Sequence, residues 1–343
     1  MNRKQKRTLL LLAAAVAVLL AVLLAVRAAR SQQQKKEAEA AASAAASGVI
    51  TDPAASYREL SYFNGSTTLS FALDEDGNWY WKDDADFPLD QSYLTKMVNT
   101  LSALKPQQTI TEGDTLEAYG LAEPGRTLTA IAGNGMTTTL ALGNTTTDGD
   151  SYYMLMNGAQ TPVYIISDEL AREMDVSIYD MFVLPELSLP AEDQLTSVNI
   201  SGAADVTLTA IRGEAGADGK APVTWRSGGA NVTDDEQVRG ILDQILSLEL
   251  DGCVDYRPSD GAASLCGFDE PDAVVAVRYT SGGAVETLTL TVGARLLDGD
   301  GRYVRVNDDE TIYRMGADRL DAVMRAAANG LNGDAPAADS AEG

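Results

Sequence analysis

The body of this chain is written twice. Trp81 sits on a strand-like run and is followed by Leu94, Val98, Leu101 and Leu104 at helical spacing. Trp225 is followed at the same spacing by Val238, Leu242, Ile245 and Leu248. The run Gly120-Leu121-Ala122-Glu123-Pro124 returns as Gly267-Phe268-Asp269-Glu270-Pro271. Leu142-Gly143 returns as Val292-Gly293, and Asp148-Gly149-Asp150 with Tyr153 returns as Asp298-Gly299-Asp300 with Tyr303. The offset between copies grows by only a few residues, so small loop insertions separate them. The period is far longer than the roughly 20–50 residues of a solenoid unit, which leaves a duplicated domain. The positions held in common are apolar, glycine and turn residues, and none of them is reactive.

Each copy reads as strands followed by separate helices. Ser66–Leu73 and Asn78–Lys82 flank the turn Asp74-Glu75-Asp76-Gly77, a hairpin signal. Asp90 N-caps a helix whose apolar residues recur at three and four, and Thr233-Asp234 caps its counterpart. After Thr115–Tyr119, Gly120 stops a helical turn in the left-handed conformation, Leu121 folds back on it and Pro124 blocks continuation. Gly267 and Pro271 do the same in the second copy, and in both the corner aims the next strand. Short antiparallel runs joined by hairpin-length turns predict an α+β fold: two repeated modules of antiparallel strands with packed helices, at 55–180 and 193–328, joined across Pro185–Pro190. Trp81 is expected to superpose on Trp225, and Gly120 on Gly267.

The N-terminus predicts a membrane anchor. Residues 8–26 carry no charge and are almost wholly Leu, Ala and Val. At about 1.5 Å per residue they span roughly 28 Å, close to the hydrocarbon thickness. This places a cytoplasmic tail at 1–7, a single transmembrane helix at 8–26, a stalk at 27–54 and, at the other end, a disordered tail at 329–343. Ala13, Ala17, Ala21 and Ala25 lie on one face of that helix, where small side chains let another helix approach. Basic residues flank the span on both sides, so the charge rule is locally ambiguous. The short N-terminal tail and the acidic body orient the N-terminus into the cytoplasm and the body outside. Eight of the 26 Lys and Arg lie in residues 1–36, leaving 18 against 50 Asp and Glu, a net of −32. That balance disfavours nucleic acid and anionic lipid surfaces.

The chemistry left open is narrow. The chain has no histidine, which removes Ser-His-Asp and Cys-His catalysis and the commonest metal ligand. No phosphate-cradling glycine loop and no Ser-x-x-Lys helix start is present. Cys253 and Cys266 either pair or remain two buried thiols; spacing does not choose. The acidic turns supply the metal candidates, Asp148, Asp150, Asp298 and Asp300. None fits a twelve-residue calcium loop, and Asp-Gly is ordinary turn chemistry. No catalytic residue and no cofactor is expected.

Trp81, the helix Asp90–Leu104, the corner Tyr119–Pro124, Leu142-Gly143, Tyr152-Tyr153 and Val163-Tyr164-Ile165-Ile166, preceded by one membrane span, resemble the bacterial family called domain of unknown function 4340. The resemblance covers about residues 57–330. The second copy departs from it at Cys266-Gly267-Phe268, which replaces Tyr-Gly-Leu. The resemblance implies an accessory role beside ABC-type transport components related to gliding motility. The expectation is therefore a non-enzymatic, extracytoplasmic, membrane-anchored accessory or scaffold subunit of an ABC-type transport or envelope complex, with a permease or associated envelope protein as partner. The alternatives are a cell-envelope glycan- or divalent-cation-binding module and, after these, a carboxylate-dependent hydrolase. An aromatic-floored groove would favour the glycan and a convergent cluster of carboxylates the cation. Two carboxyls roughly 5–9 Å apart in a cleft would favour hydrolysis.

Overall fold

The computed structural model describes residues 48–187, 189–202, 205–214, 221–259 and 261–328. The expected tail, anchor, most of the stalk and the C-terminal tail lie outside the described residues, and among those described no helix is long and apolar enough to cross a membrane. The chain divides into two compact units after Val176. Both are mostly antiparallel sheet with a few helices.

The first unit runs β1 (Tyr57–Phe63), β2 (Thr68–Leu73), β3 (Trp79–Trp81), α1 (Gln91–Ser102), β4 (Gln108–Ile110), β5 (Arg126–Ala132), β6 (Thr137–Thr145), β7 (Ser151–Met156), β8 (Val163–Ser167) and α2 (Glu169–Met174). Its eight strands pair in the order β3-β2-β1-β5-β6-β7-β8-β4. The second unit opens with 3-10 turns at Ile178–Met181 and Glu192–Gln194. It continues through β9 (Leu195–Gly202), β10 (Val206–Arg212), β11 (Val223–Ser227), β12 (Ala230–Asn231), α3 (Glu236–Leu246), β13 (Gly252–Asp255), α4 (Ala262–Leu265), β14 (Ala273–Ser281), β15 (Ala284–Arg295), β16 (Gly301–Val306), β17 (Ile312–Gly316) and α5 (Ala317–Ala328). Its order is β12-β11-β10-β9-β14-β15-β16-β17-β13. Apart from the added edge strand β12, the two sheets have one topology. The strand after the first helix (β4 or β13) joins the far edge of the sheet in both.

Alternation explains the core. Leu60, Tyr62, Phe71, Leu128, Leu140, Leu142 and Met154 occupy one face of the first sheet and are fully buried with Leu94, Met97 and Leu101 of α1 and Leu170 and Met174 of α2. Val198, Ile200, Leu208, Val275, Leu290, Val292 and Val304 do the same in the second, with Val238, Ile241, Leu242 and Ile245 of α3. Asp90 caps α1 through the Ser92 N–H. In the second unit the cap is Asp235, which accepts from Gln237 and Val238, rather than Thr233-Asp234. The Thr233 hydroxyl instead accepts the backbone N–H of Trp225 at 2.9 Å.

The register corrects the tryptophan pairing. Leu128 faces Leu140 and Tyr62 in the first sheet as Val275 faces Leu290 and Ile200 in the second. Carried outward, Leu73 opposite Trp79 matches Ala210 opposite Trp225. The counterpart of Trp225 is therefore Trp79, not Trp81. Trp79 and Trp225 are both buried, and each backbone N–H bonds a side chain at or before the next helix, Gln91 or Thr233. Trp81 is half-buried, edge-on to Phe87 at 5.5 Å. Residues 79 and 81 share a face at period two, so pattern alone cannot choose between them.

Candidate functional site

The corner is the most closely repeated local structure. In the first module the Leu121 N–H reaches the Leu116 carbonyl (2.7 Å) and the Gly120 N–H reaches Glu117 (3.0 Å). In the second, Phe268 reaches Ala263 (2.8 Å) and Gly267 reaches Ser264 (3.1 Å). These are the paired bonds of a Schellman motif, with glycine at φ +68° and +81° in the left-handed region. Each corner docks on a bulged strand. Asn144 donates to the Tyr119 carbonyl and Ala294 to the Cys266 carbonyl, both at 2.8 Å, where the β6–β7 and β15–β16 registers slip. Pro124 and Pro271 follow, two residues before β5 and β14 begin.

In the first module the corner lies on the sheet face opposite the helices. Leu121, Leu155 and Val163 form a small second core there with Leu116, Tyr119 and Tyr153 packed against it. Beside it runs an open groove of about 640 Å³, floored by Thr127, Thr129, Thr139 and Leu155 and walled by Leu116 and Glu117 on the corner and Gly158, Ala159 and Gln160 on the β7–β8 turn. The volume lies in the ordinary ligand-pocket range. The floor is aliphatic and hydroxyl-bearing, the walls add the Glu117 carboxylate and the Gln160 amide, and no aromatic ring lines the groove.

The first aspartate of each of these acidic turns bonds within its own turn. Asp148 accepts from the Thr146 hydroxyl and the Asp150 N–H, and the Thr146 bond is the main reason its carboxyl is held below the usual range. Asp298 accepts from the Asp300 N–H at 3.1 Å, and Asp74 from Asn78 at 2.8 Å. Among the described residues no three Asp, Glu, Cys or His side chains converge as a metal site. The candidates Asp148 with Asp150 and Asp298 with Asp300 stand at the tips of two separate hairpins, one in each unit.

Two features escaped the pattern reading. The first is an ionic cluster in the second module. Arg302, buried on β16, bonds Asp321 of α5 at 2.7 Å, Asp272 at 2.5 Å and the Gly293 carbonyl at 3.2 Å, while Arg295 also pairs with Asp321. The first module places Tyr152 where the second has Arg302, and there Arg126 lies over the Tyr152 ring at 5.5 Å and pairs with Asp175 at 2.6 Å. Charge therefore enters the same region from different strands, which a positional match of the copies cannot reveal. The second is the state of the cysteines: both are free. Cys253, opposite Tyr313 on β17, is buried, and burial, then the nearby carboxylates of Asp255 and Asp309, push its thiol up to about 12.

The family described as Domain of unknown function (DUF4340) matches residues 79–221 and again 225–329. The two matches begin on Trp79 and Trp225, the residues that the sheet register aligns. The first runs past the end of its module through β9 and β10, so the family's sequence unit is offset by one hairpin from the compact structural unit. No curated protein and no solved structure matches the chain. With two matches that together span most of its length, the chain belongs to the Domain of unknown function (DUF4340) family.

Proposed function

We propose that this chain is a non-catalytic, membrane-anchored accessory subunit, with its body outside the cytoplasm, that scaffolds an ABC-type transport or envelope complex. The observation that carries this reading is the nature of what the two modules share. Trp79 and Trp225, Gly120 and Gly267, Gly143 and Gly293 serve packing and backbone geometry, while Asp148 and Asp298 in the acidic turns accept from N–H groups of their own turns. The uncharged run 8–26 supports the anchor, and the net −32 of the remainder supports a soluble body that avoids anionic surfaces. The aliphatic and hydroxyl floor of the first-module groove, without an aromatic ring, suits a protein partner better than sugar-ring stacking, which favours aromatic floors.

Affinity purification of the full-length chain from detergent-solubilised membranes tests the proposal. A transporter or envelope component is expected to co-purify, and deletion is expected to impair export. Absence of any such component together with unchanged export overturns it.

A further inference from the structure

The two modules provide an internal comparison for the groove. Ala141 pairs with Leu155 as Thr291 pairs with Arg305, so Arg305 stands where Leu155 does. Thr127 and Thr129 correspond by the same pairings to Val274 and Ala276. Asn157 and Asn307, both at φ +54°, donate to Thr139 and Thr289 and fix the equivalence of the following turns. Gly158-Ala159-Gln160 therefore becomes Asp308-Asp309-Glu310. In the second module Arg305 lies over the Phe268 ring at 4.6 Å, in the place where Leu155 meets Leu121 in the first. One fold thus carries a trough with an uncharged floor and far turn in one copy and a charged, side-chain-filled surface in the other.

The trough itself narrows the occupant. Its floor strands β5, β6 and β7 are each paired on both sides, so no strand edge is available for main-chain addition and recognition must run through side chains. Leu116, Leu121 and Leu155 offer aliphatic contact, and the half-buried Thr127, Thr129 and Thr139 offer hydroxyls. The two walls differ in charge. The corner wall carries the exposed carboxylate of Glu117, with exposed Glu112, Asp114 and Glu123 close to it in sequence, whereas the opposite turn is neutral. Hydrogen bonds from its own backbone N–H and from Thr115 keep Glu117 below the usual carboxyl range and therefore ionised.

We propose that the first-module groove is the docking site for a polypeptide segment of the partner, with small or aliphatic side chains at its centre and Lys or Arg on the flank that meets the corner. This rests on the scaffold reading above and specifies its contact. The basic flank satisfies the acidic wall at Coulombic range and fixes the segment's direction; the apolar centre supplies the buried contact.

The test uses the full chain in cells, with a photoreactive phenylalanine analogue replacing Ala159 and, as control, exposed Asp308 on the equivalent second-module turn, since Asp309, the counterpart of Ala159, accepts from Thr311 and Tyr313. A cross-link to a polypeptide is expected at 159 and not at 308, and mass spectrometry should place it in a segment with a basic flank and no net negative charge. A groove-filling Thr129→Trp or Thr139→Trp, whichever keeps an unchanged melting curve, should cut the yield by about tenfold or more, as for loss of a central interface contact. Neutralising Glu112, Glu117 and Glu123 to Gln should lower the yield several-fold. Equal cross-linking at both positions, no cross-link, a link to glycan or lipid, an acidic segment, or indifference to the filling variants overturns the inference. If the partner still co-purifies with a filling variant, the groove assignment fails while the scaffold reading stands. If wild-type chain retains no partner at all, it is the scaffold reading that fails.

Discussion

The carbonyl oxygen of Tyr119 occupies the space that a Cβ on Gly143 would need. The same holds for Cys266 and Gly293, so each corner is seated on its bulged strand by a glycine that leaves room for backbone. Gly143→Ala must therefore push the corner off β6 or distort the bulge. The expected cost is about 2–3 kcal/mol, the range of overpacking at a rigid site. Gly125→Ala, with open space around it and an ordinary backbone, should be close to neutral. Urea unfolding of the two variants beside wild type checks the contrast, and equal midpoints would contradict it.

Glu173 gives the first module a pH dependence. Its side chain is buried between α1 and α2, with the Thr100 hydroxyl at 2.8 Å and Lys96 at 3.7 Å on one oxygen, and the other oxygen unbonded. Burial raises its carboxyl, Thr100 and Lys96 oppose that rise, and Glu169 adds to it. A carboxyl raised in the folded state binds its proton more tightly there than in the unfolded chain. Its penalty is therefore absent below the unfolded value, grows as pH rises through the folded value, and is complete above it. Glu173→Gln should raise the melting temperature at pH 7 and change it little at pH 4. A larger gain at pH 4 than at pH 7 would contradict this.

The two arginine clusters should respond differently to mutation. Asp321→Ala strips the buried Arg302 of one of its two carboxylates and should destabilise by about 3 kcal/mol, the loss typical of an opened buried pair. Arg126→Ala removes a pair whose aspartate is largely solvent-facing and should cost about 1 kcal/mol or less, part of it from packing on Tyr152. Chemical denaturation at low and high salt separates them, because only the exposed pair should weaken appreciably with salt.

Much of the fold was legible because the informative residues act locally. Gly120 and Gly267 are the left-handed stops of their turns, Asp90 is a helix cap and Asp-Gly pairs close hairpins, all within a few residues of sequence. What remained hidden is set by pairing across the sheet. Trp79 and Trp81 present the same face, so only the register to Leu73 and Phe71 assigns the partner of Trp225. The placement of β4 and β13 at the far edge, the meeting of Arg302 with Asp321 and Asp272, and the groove between the corner and the turn after Asn157 all join segments far apart in sequence. The sequence comparison matched positions that stayed the same, whereas the groove is defined by positions that changed, such as Leu155 to Arg305.

The central claim is that the first module of the pair carries the partner contact through its groove and the matched surface of the second does not. The most direct measurement is quantitative co-purification from membranes of full-length chains bearing Thr139→Trp in the first module or Thr289→Trp at its counterpart in the second. Both residues are half-buried on matched strands, and each variant is compared only where its melting curve matches wild type. The account predicts that Thr139→Trp loses the partner, by about tenfold or more, while Thr289→Trp retains it. Equal retention by both, or loss confined to the second-module variant, would contradict it.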